Sequence, residues 1–188
     1  MWPCRTRSSA EGWGRLPAAL TSAAVAIAAN TLALRASDAF GLETARGGLL
    51  RLLTLCITAP LRRTPSSAVL AAQVQEAAAS SGIKTIFHLG VGLLMGVVYA
   101  FACEPWALRR PWTCGFICGL LVWLVNALWV LPAAGEGIAG AVHLTWLGTV
   151  WFAAAHWLFF LALAVLYARL RRSPPACWTF LSRQCDGL

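Results

Sequence analysis

Polar side chains inside apolar sequence are costly and therefore informative, and this chain places two of its three histidines, His88 and His156, within long apolar runs. With Glu136 and the third histidine, His143, they make a donor set of imidazoles and a carboxylate suited to a metal ion. Alone, His88 and His156 are candidates for the two axial ligands of a haem. Asn30 and Asn126 also fall inside apolar runs. Each amide or imidazole needs a partner once removed from water, so Asn30, His88, Asn126 and His156 read together as a polar layer. Asn126 is the expected partner of one histidine, and Glu136 of an outer one. The histidines come without a CxxCH or HExxH motif. A structural hydrogen-bond layer is the leading expectation, no cofactor is predicted, and haem or a metal is the sharper alternative.

Four apolar runs must position these groups. Of 188 residues, 59% are hydrophobic and only 12% charged, and the mean hydropathy is +0.69. A soluble domain has about a quarter of its residues charged. Runs of about 20 residues are needed to cross the hydrocarbon core, and four qualify: 16–34, Ala-rich and the weakest, then 85–103, 114–132 and 146–168. The fold class expected is all-α, a polytopic membrane protein of four transmembrane helices. Residues 1–15 form a tail, 35–84 an outer-side segment, 85–168 a three-helix core and 169–188 a basic tail. A cleaved signal peptide competes for the first run, because Arg5, Arg7 and Arg15 precede it.

The net charge of +8 does not point to nucleic acid, because the bases collect at span ends, where they act as topology determinants. Arg5, Arg7, Arg15, Arg109, Arg110, Arg169, Arg171, Arg172 and Arg183 share one side of a four-span chain. Both termini are therefore expected in the cytoplasm and the protein in a bacterial inner membrane. Arg35, Arg46, Arg51, Arg62, Arg63 and Lys84 fall on the other side, against the rule. Either it is locally overridden there or the first run is not a span; four spans is the reading kept. Counting along the alternating spans puts all four polar-layer residues in the outer half, with no matching charged relay in the inner half.

Within 35–84 one or two interfacial helices are expected. In 49–59, Arg51, Thr54 and Thr58 share one face and Leu50, Leu53 and Ile57 the other, the pattern of a helix lying in the membrane interface. Pro60 and Pro65 break the chain, Ser66 or Ser67 caps a second helix to about Ser80, and Gly82 ends it. The two helices would make a cap able to meet a partner.

Gly92 and Gly96, then Gly115 and Gly119, are small-xxx-small pairs, expected to pack the second span on the third. Trp13, Trp106, Trp112 and Trp146 lie near span ends, as amphipathic rings do. Of seven cysteines only Cys56 belongs to the outer segment, so no disulfide-linked partner is expected. Cys114 and Cys118, one turn apart, read as small packing residues.

The segment KTIFHLGVGLLMGVVYA with His88 and Tyr99, the start CGFICG of the third span, Pro132 and Gly135 at its end, and AHWLFF with His156 and Trp157 resemble the YagU-like family of small bacterial inner-membrane proteins. The resemblance covers residues 84–168 and implies a multi-span inner-membrane protein of unestablished biochemical role. Asn126 stands where that family's pattern leads one to expect a histidine. The function expected is a non-catalytic accessory or scaffold subunit in a lipid bilayer with other membrane subunits. The alternatives are a haem-binding electron carrier and a small channel or transporter through the polar layer.

Overall fold

The computed structural model describes residues 13–44 and 47–172. The expectations for Cys4, Arg5, Arg7, Arg46, Cys177, Arg183 and Cys185, and for most of both tails, lie outside the described residues.

Among the described residues, four helices are long and apolar enough to cross a membrane: α1 (Arg15–Ala39), α4 (Ser81–Arg109), the helical stretch Pro111–Ala133 and α7 (Trp146–Arg172). The third is α5 (Pro111–Val125), a π-helical turn (Asn126–Val130) and the short α6 (Leu131–Ala133). Pro111 opens α5 at its first turn, where a missing N–H costs nothing. Pro132 cannot donate to Leu128, and the ladder just before it shifts to i−5, Leu131 N–H donating to the Asn126 carbonyl. The chain is thus an all-helical, multi-pass membrane protein, with α2 (Gly48–Thr58) as an additional amphipathic helix after the first span.

The Ala-rich α1 packs between α4 and α7, and α7 touches all three other spans. Ala18, Ala19, Ala23 and Ala26 are fully buried between α4 and α7, while Leu16, Leu20, Val25 and Leu32 point outward. Small side chains allow backbones to approach, and lipid supplies no competing reason for large residues to hide. The glycine pairs show where the approach is closest, and the partners differ from those expected. A Cβ on Gly92 would lie 2.5 Å from Ile27, and one on Gly96 would meet Ala23, so this pair seats α4 on α1. A Cβ on Gly115 would lie 2.8 Å from the Phe160 carbonyl oxygen, and one on Gly119 2.7 Å from Trp157, so this pair seats α5 on α7. The reason is steric: α1 and α7 offer Ala23 and Ala164 to the grooves, whereas α4 and α5 meet through a tight hairpin at Arg110.

The connection between α1 and α4 holds α2, a 3₁₀ turn (Pro60–Arg63) and α3 (Pro65–Ala79). Thr64, not Ser66 or Ser67, caps α3, its hydroxyl accepting from Ser67 N–H with Pro65 following. Ser80 then caps α4 through Ile83 N–H, and Gly82, expected to stop α3, lies inside the first turn of α4. On α2 the two threonines turn inward. Thr54 and Thr58 are buried, Gln75 of α3 donates to Thr58 Oγ1 at 3.1 Å, and Leu53 and Ile57 are exposed, but Leu50 is buried with the threonines and Arg51 is exposed, so the two faces do not divide as expected. A helix on a water-soluble core would bury Leu53 and Ile57 and expose the threonines.

Candidate functional site

Both ends of the described chain meet at one end of the bundle, where Trp13 N–H donates to the Leu170 carbonyl. The opposite end carries α2, α3 and the loop 134–145, and the polar layer lies there.

Asn30, His88, Asn126 and His156, one from each spanning stretch, line a single cavity of about 390 Å³. Towards the bundle centre its wall is apolar, with Gly92, Met95, Leu121, Val122, Phe159 and Phe160. Asn30 is buried and donates from Nδ2 to the Ala155 carbonyl at 2.8 Å. A carbonyl only accepts, which fixes the orientation of the amide. The other amide atom, Asn30 Oδ1, is buried without a donor. His156 Nδ1 is 2.8 Å from the carbonyl oxygen of Phe152, one turn back on its own helix, so this nitrogen donates and Nε2 keeps its lone pair. Asn126, expected to pair with a histidine, instead donates to the Val122 carbonyl at 2.9 Å. That bond anchors its side chain where the π-helical turn begins.

Glu136 and His143 occupy a second recess of about 570 Å³, shared with Asp38, Glu43, Arg51 and Lys84. Glu136 receives His143 Nδ1 at 2.6 Å and also pairs with Arg51 of α2. The outer partner expected for a histidine is therefore present, and the carboxylate is shared with a base that sequence reading left unpaired. Of the four candidate metal ligands, Glu136 and His143 line this recess while His88 and His156 line the deeper cavity. The two spaces adjoin at Gly47, Gly48 and Lys84, which line both. Gly47 has φ +88°, a conformation that favours glycine, and Lys84 packs its stem over it.

Sequence reading missed two groups at the other end of the bundle. Glu104 of α4 is buried yet accepts from Tyr167 at 2.8 Å and from Arg171 Nε at 2.8 Å, and pairs with Arg15. The half of the bundle expected to carry no charged relay holds, among the described residues, a single carboxylate clamped by bases from α1 and α7. Beside it, Cys103, Cys114 and Cys118 bring their sulfur atoms within 4.8 Å of one another. Among the described residues they are the one group of three or more potential metal ligands that converges so closely. The expectation that Cys114 and Cys118 serve as packing residues missed this convergence.

No family model, curated protein or solved structure matches the chain. The resemblance of residues 84–168 to the YagU-like family rests on its short motifs alone, and function has to be argued from the site.

Proposed function

We propose that this protein is a non-catalytic membrane protein that holds one amphiphilic molecule, its polar group at the layer of Asn30, His88, Asn126 and His156 and its apolar body towards Met95, Leu121 and Phe160. The observation that carries this reading is Asn30, a residue lining the cavity whose Oδ1 is buried without a donor. Leaving such a group unsatisfied costs about 1–3 kcal/mol, and a ligand hydroxyl or N–H relieves that cost. His156 Nε2, the ring nitrogen not bonded to Phe152, adds a second acceptor. The gradient from polar layer to apolar wall matches the orientation an amphiphile already has in a bilayer leaflet.

Such a holder fits an accessory subunit of a bacterial inner-membrane complex better than a catalyst. In this reading α2 lies in the interface with Leu53 and Ile57 towards acyl chains. Both termini face the cytoplasm, with the basic groups Arg109, Arg110, Arg169, Arg171 and Arg172. The test is native mass spectrometry and solvent extraction of the full chain released from its membrane in a mild detergent. One amphiphile per chain is expected, bearing a hydroxyl or N–H, and its occupancy should fall about tenfold in Asn30→Leu, the worth of roughly one hydrogen bond. Ligand-free protein, or equal occupancy in Asn30→Leu and the cavity-filling Val122→Phe, would sink the proposal.

The haem alternative keeps one specific support. A ligating imidazole characteristically donates its second nitrogen to a carbonyl, as His156 Nδ1 does to Phe152. A Soret band that is lost in His156→Leu would favour haem, and a colourless preparation from haem-replete cells would eliminate it.

A further inference from the structure

The cysteine cluster lies away from the proposed ligand cavity and has its own logic. Cys103 sits six residues before the end of α4, and Cys114 and Cys118 are the fourth and eighth residues of α5. At about 1.5 Å per residue, the three cysteines are roughly 6–12 Å beneath the Arg110 hairpin, close to the membrane boundary. Cys103 Sγ and Cys118 Sγ are 3.9 Å apart, well beyond a disulfide bond, and Cys114 is fully buried. A second polar group points to a ligand here. Tyr99 is 97% buried, and its hydroxyl lies beside the Cys114 thiol, within reach of the sulfur but without a hydrogen bond of normal geometry.

The geometry points to a Cu(I) site formed by Cys103, Cys114 and Cys118, with the Tyr99 hydroxyl donating to a coordinated sulfur. The donor set consists of three soft sulfurs without imidazole or carboxylate. Thiolates select Cu(I), Zn(II) or iron–sulfur clusters. Structural zinc takes four ligands and catalytic zinc adds water to three, whereas this buried, apolar position offers three sulfurs and a phenol. Binding exchanges three thiol protons for one Cu(I) ion and leaves two negative charges on the site. Part of that charge is offset nearby. Glu104, the residue after Cys103, is paired with both Arg15 and Arg171, a cluster with one positive charge in excess. Tyr99 and Tyr167 connect the two groups edge to face at 6.0 Å, and Tyr167 donates to Glu104.

The test uses the reduced full-length protein in detergent, with Cys4, Cys56, Cys177 and Cys185 replaced by serine. Cu(I) is titrated in competition with a coloured Cu(I) chelator, and X-ray absorption reads the ligand shell. One equivalent with three sulfur neighbours is expected. Cys118→Ser, at a half-buried position, should weaken binding by more than about 100-fold, beyond the usual effect of losing an outer-shell partner. Tyr99→Phe should keep the stoichiometry and lower affinity by about tenfold. Cys103→Ser provides the same test if Cys118→Ser is not monodisperse. Chelator retaining all the copper, a Cys103→Ser/Cys118→Ser variant binding as tightly as its parent, or Zn(II) displacing Cu(I) at equal concentration would each overturn the assignment.

Discussion

Replacing Glu104 removes the acceptor on which three side chains from two helices converge. In Glu104→Ala the fully buried Tyr167 loses the partner of its hydroxyl, which costs about 1–3 kcal/mol for an unsatisfied buried donor. Arg171, whose side chain is 24% exposed, loses its counter-charge. Arg15 is 46% exposed, so its share is at most about 1 kcal/mol. The expected loss is about 3–5 kcal/mol, the range for removing one partner of a buried pair. Glu104→Gln keeps an acceptor for Tyr167 without the charge and should cost about half as much. The assay is reversible unfolding in mixed micelles, titrated with an ionic detergent and followed by tryptophan fluorescence. Tyr167→Phe combined with Glu104→Ala should show a coupling of about 1–2 kcal/mol. A Glu104→Ala protein within about 0.5 kcal/mol of the parent, or strict additivity with Tyr167→Phe, would refute the clamp.

Gly96→Val should destabilise the same unfolding transition by at least about 1–3 kcal/mol, because its side chain meets Ala23 of α1. Gly90→Ala, with open space around it, should be neutral or stabilising by up to about 1 kcal/mol. Ala139 has φ +54° in the loop before α7, so Ala139→Gly should raise stability by about 1 kcal/mol. The ion pair of Arg51 with Glu136 is half exposed on the Arg51 side, and Arg51→Ala should change stability by less than about 1 kcal/mol, checked in the same titration.

Span positions were legible because lipid enforces them. A spanning helix must be long and apolar, and each polar group in it must have a reason to be there. Thus Asn30, His88, Asn126 and His156 could be assigned one level from residue counting, and they line one cavity. Their bonds were not legible, because each resolved bond is to a main-chain carbonyl: Asn30 to Ala155, Asn126 to Val122 and His156 to Phe152. Carbonyls exist at every position, so sequence carries no mark of which one is free. The glycine pairs were legible as contact faces, but not their partners, since chain adjacency suggested α4 on α5. The interhelical seams depend on Ala23 and Ala164, small residues that look unremarkable in an Ala-rich chain.

The missed groups had a signal of a different kind, one of symmetry about a turn. An antiparallel helix pair brings together residues roughly equidistant from its hairpin. Cys103 lies seven residues before Arg110 and Cys118 eight after it, so the two were bound to approach once Arg110 was taken as the turn. Cys114 is one turn from Cys118 on the same face. Likewise Tyr167 and Arg171 are four apart near the end of α7, one face of a helix returning to the end where α4 carries Glu104. Reading each span by itself, as hydropathy invites, hides such pairs; folding the sequence at its hairpins exposes them. The two ends of the bundle then differ in kind. One has a cavity lined by Asn30, His88, Asn126 and His156, and the other has its carboxylate closed by bases and three thiol sulfurs within 4.8 Å of one another.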